Sequence, residues 1–131
     1  MYDVQYNINR GGKMESTDDI LNSLVVELKR GTLILSVLSQ LFNPEYGYSL
    51  VQKLEQKNNP IDAGTLYPLL RRLEKQKLLE SNWDTSETRP RKFYVISEEG
   101  KKVFQCLTEE WRALSRKLEN LLGEEREYGN D

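Results

Sequence analysis

The sequence predicts an α+β domain, mainly helical with one small β-hairpin, and three observations carry that expectation. Apolar residues recur at helical spacing in several separate stretches, two short alternating runs flank a polar tip, and a long apolar seam runs toward the C-terminus. In order these give an extra N-terminal helix, three short helices, the hairpin and a long last helix. That is the element order of a winged helix-turn-helix followed by a C-terminal dimerisation helix.

Each element has its own local reason. Residues 1–15 show no periodicity and read as a disordered or expression-derived leader, with Met14 an alternative start. Ser16 with Asp19 three residues on is a capping pattern, and Leu21, Leu24, Val25 and Leu28 follow at helical spacing, so 16–30 is a helical extension. Arg30–Gly31 marks a break or a close contact. Leu33 to Phe42 is apolar on nearly every side and reads as a buried helix that Asn43–Pro44 ends. Tyr46–Gly47–Tyr48 opens a short helix with Leu50, Val51 and Leu54 on one face, and Asn58–Asn59–Pro60 is a turn. Asp62 is a good N-cap for a helix running to about Lys77, with Leu66, Leu69, Leu70 and Leu73 inward and Thr65, Tyr67, Arg71, Arg72 and Lys75 on the other side.

The strands are Leu79–Trp83 and Lys92–Ile96, the second placing Phe93 and Val95 on one face and Tyr94 and Ile96 on the other; Asp84 to Pro90 suits the hairpin tip. Residues 31–97 therefore make the winged helix. Ser97 caps the last helix, whose first turn carries Glu98 and Glu99, the favoured sign at a helix N-terminus. Along it Phe104, Leu107, Trp111, Leu114, Leu118 and Leu121 recur with alternating gaps of three and four, a heptad seam flanked by Glu110, Arg112, Lys117 and Glu119. An intramolecular partner could cover part of this seam, but a helix so long on a small domain more often pairs with another chain, so 98–122 reads as the dimerisation helix and 123–131 as a disordered tail.

Composition bounds the function. The 131 residues suffice for one domain, and at 37% hydrophobic and 31% charged residues its core is thin, a shortfall that subunit pairing can offset. There is no apolar run of membrane-spanning length and no secretion signal, and the single cysteine cannot form an internal disulfide, which together point to the cytoplasm. With no histidine, a histidine-based triad and a histidine metal site are both excluded, and one cysteine cannot build a thiolate cluster. No glycine-rich phosphate loop is present. Carboxylate-only chemistry stays formally open, but the acidic residues resemble solvated helix faces, so the expectation is a non-enzyme with no cofactor and no metal. Cys106 reads as a buried small hydrophobe rather than a redox switch.

The net charge of −2 hides a gradient. Between Ala63 and Lys92 the basic residues Arg71, Arg72, Lys75, Lys77, Arg89, Arg91 and Lys92 outnumber Glu74, Glu80, Asp84 and Glu87, whereas after Ser97 the balance turns acidic. A local basic surface on an acidic protein suits a reader of double-stranded DNA, because only the docking face meets phosphates.

Four ordered motifs carry a family resemblance. Arg30–Gly31–Thr32–Leu33 opens it; Tyr46–Gly47–Tyr48 with Leu50 follows; Gly64–Thr65–Leu66–Tyr67–Pro68–Leu69–Leu70 with Arg72–Leu73–Glu74 comes next; Pro90–Arg91–Lys92–Phe93–Tyr94 with Glu99–Gly100 completes it. From Arg30 to about Leu122 the chain resembles the PadR-type transcriptional regulators, in the shorter branch with a single helix after the wing. It departs where the family usually has glycine: Lys77 stands in the turn after the recognition helix, which implies another turn geometry, and Glu87–Thr88–Arg89 stands at the wing tip. The extension through Leu28 lies outside the usual pattern.

The resemblance implies a homodimeric regulator, a repressor, binding a palindromic operator. Thr65, Tyr67 and Arg71 would lie near the start of the recognition helix in the major groove, with Arg71 reaching guanine edges and Thr65 and Tyr67 a phosphate or thymine methyl. Arg72 belongs to the same basic face. Ala63 and Gly64 permit close approach to a phosphate, and Pro68 is tolerated early in the helix, where few N–H groups have acceptors. Arg89, Arg91 and Lys92 would cross phosphates from the wing, unless the hairpin tip is simply solubilising. Tyr48 either offers its hydroxyl to a phosphate or packs against the wing strands. In the resemblance, Trp111 would line a pocket between paired C-terminal helices and stack on a small aromatic effector, and such a ligand or a stress signal would release the operator; the plainer reading of Trp111 is a dimer-interface core residue. The competing function is a winged helix that meets an acidic protein partner instead of DNA.

Overall fold

Capping chemistry sets most of the helix boundaries in the computed structural model, which describes residues 15–129. Helix α1 spans Thr17–Arg30, and the Ser16 hydroxyl accepts from the Asp19 N–H at 3.1 Å, satisfying one of the donors that every helix start leaves free. Asp18 and Asp19 in its first turn and Lys29 and Arg30 in its last match the helix dipole. No residue of α1 is buried: Leu21, Leu24 and Leu28 are all exposed. Of the leader expected over residues 1–15, residues 1–14 lie outside the described residues.

The chain divides into two units, the first ending at Leu33 and the second beginning at Ile34. The second holds the winged helix. Helix α2 (Leu33–Ser39) is followed by strand β1 (Glu45–Tyr46), helix α3 (Gly47–Gln56), helix α4 (Ala63–Lys75), strands β2 (Leu79–Asp84) and β3 (Arg91–Ile96), and helix α5 (Glu98–Gly129). The three strands form an antiparallel sheet in the order β1-β3-β2.

Helix α2 stops before the Phe42 that the apolar run suggests. Its end tightens through bonds from the Gln40 N–H to the Val37 carbonyl and from the Leu41 N–H to the Leu38 carbonyl, and the Leu41 carbonyl accepts from the Ile96 N–H at 2.8 Å. The sheet thus supplies a donor to a carbonyl that the end of the helix leaves free. Phe42 is exposed and meets Phe104 of α5 edge to face, with ring centroids 5.3 Å apart.

Asp62 caps α4: its carboxylate accepts from the Thr65 N–H at 2.9 Å and from the Thr65 hydroxyl at 3.2 Å. The helix ends at Lys75, and Lys77 adopts φ 65 while the Leu78 N–H returns to the Leu73 carbonyl and the Lys77 N–H to the Glu74 carbonyl. Lysine therefore occupies the left-handed position that glycine usually fills at this kind of helix end. The geometry is the ordinary one, held here at a steric cost of about 1 kcal/mol. Asn58, at φ 60, closes α3 in the same manner.

The core lies between the helices and the sheet. Val37, Leu38, Leu41, Leu50, Leu66, Leu70 and Leu73 have no exposed surface, and Leu54, Ile61, Leu79, Tyr94 and Ile96 are nearly as buried; each such aliphatic residue contributes about 1.5–3 kcal/mol of transfer free energy. Ser97 joins three elements: its hydroxyl donates to the Lys77 carbonyl at 2.7 Å and accepts from the Gly100 N–H at 2.9 Å, and its N–H reaches the Leu78 carbonyl at 3.0 Å. A Cβ at Gly100 would collide with that same carbonyl, so only glycine lets α5 begin here. Helix α5 runs past Leu122, where the sequence expectation ends it. Gly123 costs about 1 kcal/mol relative to alanine, but the glutamates around it are good helix formers; residues 130–131 of the expected tail lie outside the described residues. Cys106 is exposed on α5, not buried, because it lies off the seam that turns toward the domain.

Candidate nucleic-acid interface

Helical geometry decides which side chains α4 offers to solvent. With Leu66, Leu70 and Leu73 buried, Gly64, Pro68, Arg71 and Lys75 project away from the core, and all four are exposed. Thr65 and Arg72 lie on one flank of that face and are also exposed. Tyr67 and Glu74 lie on the other flank, toward α3 and the wing.

The flank residues are already engaged. Tyr67 is half-buried over Gly47, where an added Cβ would stand 2.5 Å from its ring, so its side chain braces α4 against the start of α3. Glu74 accepts from the Ser81 hydroxyl and from Lys92 Nζ, the latter at 3.2 Å. These bonds tie the recognition helix to both strands of the wing. The Ser81 bond, with a further contribution from Lys92, holds the Glu74 carboxyl below its ordinary value.

Pro68 stands beyond the first four helical N–H groups, so the expectation that it avoids an unmade bond fails. Its ring supplies no donor to the Gly64 carbonyl four residues back. Gly64 is exposed, which leaves that carbonyl to water.

Alternation along β3 sends its basic residues to opposite faces of the sheet. Lys92 turns toward α4, close to Glu74, and lies 5.3 Å from the Tyr94 ring and 6.0 Å from that of Trp83. Arg91 turns the other way, onto the start of α3. Its guanidinium carbon is 4.8 Å from the Tyr46 ring centroid and 5.8 Å from that of Tyr48, and those two rings stack with centroids 5.9 Å apart. Arg91 Nη1 donates to the Tyr48 hydroxyl at 2.8 Å and Nη2 to Glu87 at 2.6 Å. Partial desolvation pushes the guanidinium down, but Glu87 and the neighbouring phenols and carboxylate outweigh it and leave Arg91 above its ordinary value.

Beneath this stack Tyr46 donates to Asp84 at the end of β2. That bond raises the Tyr46 phenol, and bonds from Ser86 and Tyr46 pull the Asp84 carboxyl from 3.8 to about 2. The Tyr46–Asp84 bond is possible because β1 pairs with β3, placing Tyr46 opposite Phe93. Sequence reasoning missed β1, Tyr46, Asp84, Glu74 and Trp83 as parts of this surface. Two residues are too short a strand to show a period, and the partners of Tyr46 and Glu74 are distant in sequence. Trp83 is an isolated exposed aromatic on β2, and its presence among the polar residues that follow Leu79 was the one available signal.

Among the described residues, then, Arg71, Arg72, Lys75 and Arg89 carry no ion pair, whereas Arg91 and Lys92 are held by acidic partners. Tyr48 is exposed, stacks on Tyr46 and accepts through its hydroxyl from Arg91 of β3. The seam on α5 is divided: Phe104 and Leu107 are half-buried, while Trp111, Leu114, Leu118 and Leu121 are exposed. No group of three or more metal-ligating side chains occurs among the described residues, and none of the described helices is long and apolar enough to cross a membrane.

Comparison with known proteins gives a consistent result. The model of the transcriptional regulator PadR-like family matches residues 34–106. The transcriptional regulator Rv3488 of Mycobacterium tuberculosis is 34% identical over 98 residues, covering 74% of this chain and 89% of that protein. The crystal structure of a PadR family transcriptional regulator from Eggerthella lenta is 50% identical, with a TM-score of 0.78 over 80% of this chain and 94% of the other. A PadR-like transcriptional regulator from Bacillus cereus is 30% identical, with a TM-score of 0.64 over 73% of this chain and 96% of its own.

Proposed function

The chain belongs to the transcriptional regulator PadR-like family, whose members are regulators and not enzymes, and from that premise we propose that it is a homodimeric repressor of a palindromic DNA operator. The observation that carries the reading is the solvent-facing surface of α4, where Arg71, Arg72 and Lys75 have no acidic partner among the described residues. Unpaired guanidinium groups on the outward face of a helix suit the major groove, where Arg71 takes the bidentate role toward guanine.

Other contacts follow from position. Ala63, Gly64 and Thr65 open α4, where backbone N–H groups favour a phosphate. Arg89 at the wing tip and Arg91 with Tyr48 engage the backbone on the flank, while Lys92 holds the wing in place through Glu74 and contacts DNA only at long range. Two copies joined along Phe104, Leu107, Trp111, Leu114, Leu118 and Leu121 would set two recognition helices about one DNA turn apart. A small aromatic effector stacking on Trp111 between the paired helices would change that spacing and release the operator, since a ligand shifts only an equilibrium whose two states it binds differently. Such a protein works in the cytoplasm.

The test is an electrophoretic shift with DNA from upstream of the protein's own gene. The reading expects a retarded complex that a scrambled duplex does not compete away and that Arg71→Ala weakens. A protein that ignores DNA but captures an acidic polypeptide through the same face would replace this reading with that of an interaction module.

A further inference from the structure

Arg91 is positioned like a phosphate-binding arginine whose anion is already present. Its guanidinium is fixed on two sides by the Tyr46 and Tyr48 rings and by the 2.8 Å bond to the Tyr48 hydroxyl. The third side is taken by the Glu87 carboxylate at 2.6 Å. Carboxylate and phosphate present similar oxygens to a guanidinium fork, so either can fill the same position. The two partners differ in restraint: the Arg91 side chain is 31% exposed, whereas that of Glu87, in the hairpin tip, is 63% exposed. Arg91 therefore stays when the pair opens, and Glu87 leaves. The Tyr48 hydroxyl accepts from Arg91, which keeps its own proton free for an incoming oxygen.

We propose that Glu87 is an internal stand-in for a DNA phosphate, filling the anion site of Arg91 and Tyr48 in the free protein and yielding it when the wing meets the duplex. The proposal rests on the reading of this chain as a DNA binder. Its consequence is a uniform penalty: every duplex, specific or not, must displace the carboxylate before a phosphate can reach Arg91. The preformed Tyr46–Tyr48–Arg91 stack keeps the site shaped throughout.

The experiment is fluorescence anisotropy with a mixed-sequence duplex of about 30 base pairs at about 50 mM salt, where phosphate contacts dominate. Glu87→Gln is compared with Glu80→Gln, an equal change of charge on the same hairpin, each in the wild-type and Arg91→Ala backgrounds. The expected result is a roughly two- to fivefold tighter complex for Glu87→Gln, the range an exposed pair supports, a smaller gain for Glu80→Gln, and loss of the difference once Arg91 is alanine. Equal gains for the two variants, or a Glu87→Gln gain that survives Arg91→Ala, overturn the proposal alone. A wild-type protein that binds no duplex at this salt overturns the DNA reading and this inference with it.

Discussion

Leu50, Leu66, Leu70 and Leu73 in the winged helix have no exposed surface, whereas Trp111, Leu114, Leu118 and Leu121 on α5 are 46%, 64%, 47% and 61% exposed. The residue types are alike; what differs is whether a second element lies opposite. In the winged helix, α3, α4 and the sheet close on one another, and the polar side chains between them find partners as well: Ser97, Glu74 and Tyr46 each bind across elements. On α5, Phe104 meets Phe42 near the start. Beyond Leu107 the heptad residues are exposed. The first region is a finished core and the second is half of one, which is the physical basis for proposing a second copy.

The largest expected effect is in the finished region. Leu70→Ala should cost about 2–5 kcal/mol in denaturant unfolding, because the tightly packed site cannot collapse around the cavity. Next is the unfinished region, where Leu118→Glu should leave the winged helix folded but shift the protein to monomer in sedimentation and remove the concentration dependence of Tm expected of a dimer. If Leu118→Glu stays dimeric, the seam is not the interface and the contrast between the two regions loses its explanation.

A smaller effect comes from acid. Asp84 is depressed from 3.8 to about 2, and Glu74 is also lowered, so both carboxylates favour the folded state when ionised. Their contribution is complete above the ordinary carboxylate range and is lost as pH falls toward 2. Tm followed from pH 5 to about pH 2 should fall in wild type, and part of that fall should be missing in Asp84→Asn. A fall of the same size in the variant would show that the Tyr46–Asp84 brace adds nothing. Smallest is Lys77→Gly, which relieves the left-handed lysine and should stabilise the protein by up to about 1 kcal/mol, less the extra freedom glycine has when unfolded.

Local chemistry explains which parts were legible in the sequence. Ser16, Asp62 and Ser97 mark helix starts because a cap acts within three residues, and the inward leucines of α4 follow from one period. The α5 seam was legible for the same reason. What was not legible depends on pairing at a distance. The Leu41 carbonyl beyond α2 is taken by β3, and β1 exists only because β3 lies beside it. At the site, α4 presents Arg71 and Arg72 as expected, but the sequence could not show that Tyr67 braces Gly47 or that Lys92 is committed to Glu74. Nor could it show Arg91 already paired, since Glu87 at that spacing in a hairpin tip is as consistent with a solvated carboxylate.

The most direct test of the central claim, that the basic face of α4 and the wing binds duplex DNA, is the salt dependence of that binding. With several phosphates neutralised, affinity for duplex should fall by orders of magnitude between about 50 and 200 mM salt, and the double variant Arg71→Ala, Arg91→Ala should lose binding across that range. Affinity that hardly changes with salt, or that survives the double substitution, would contradict it.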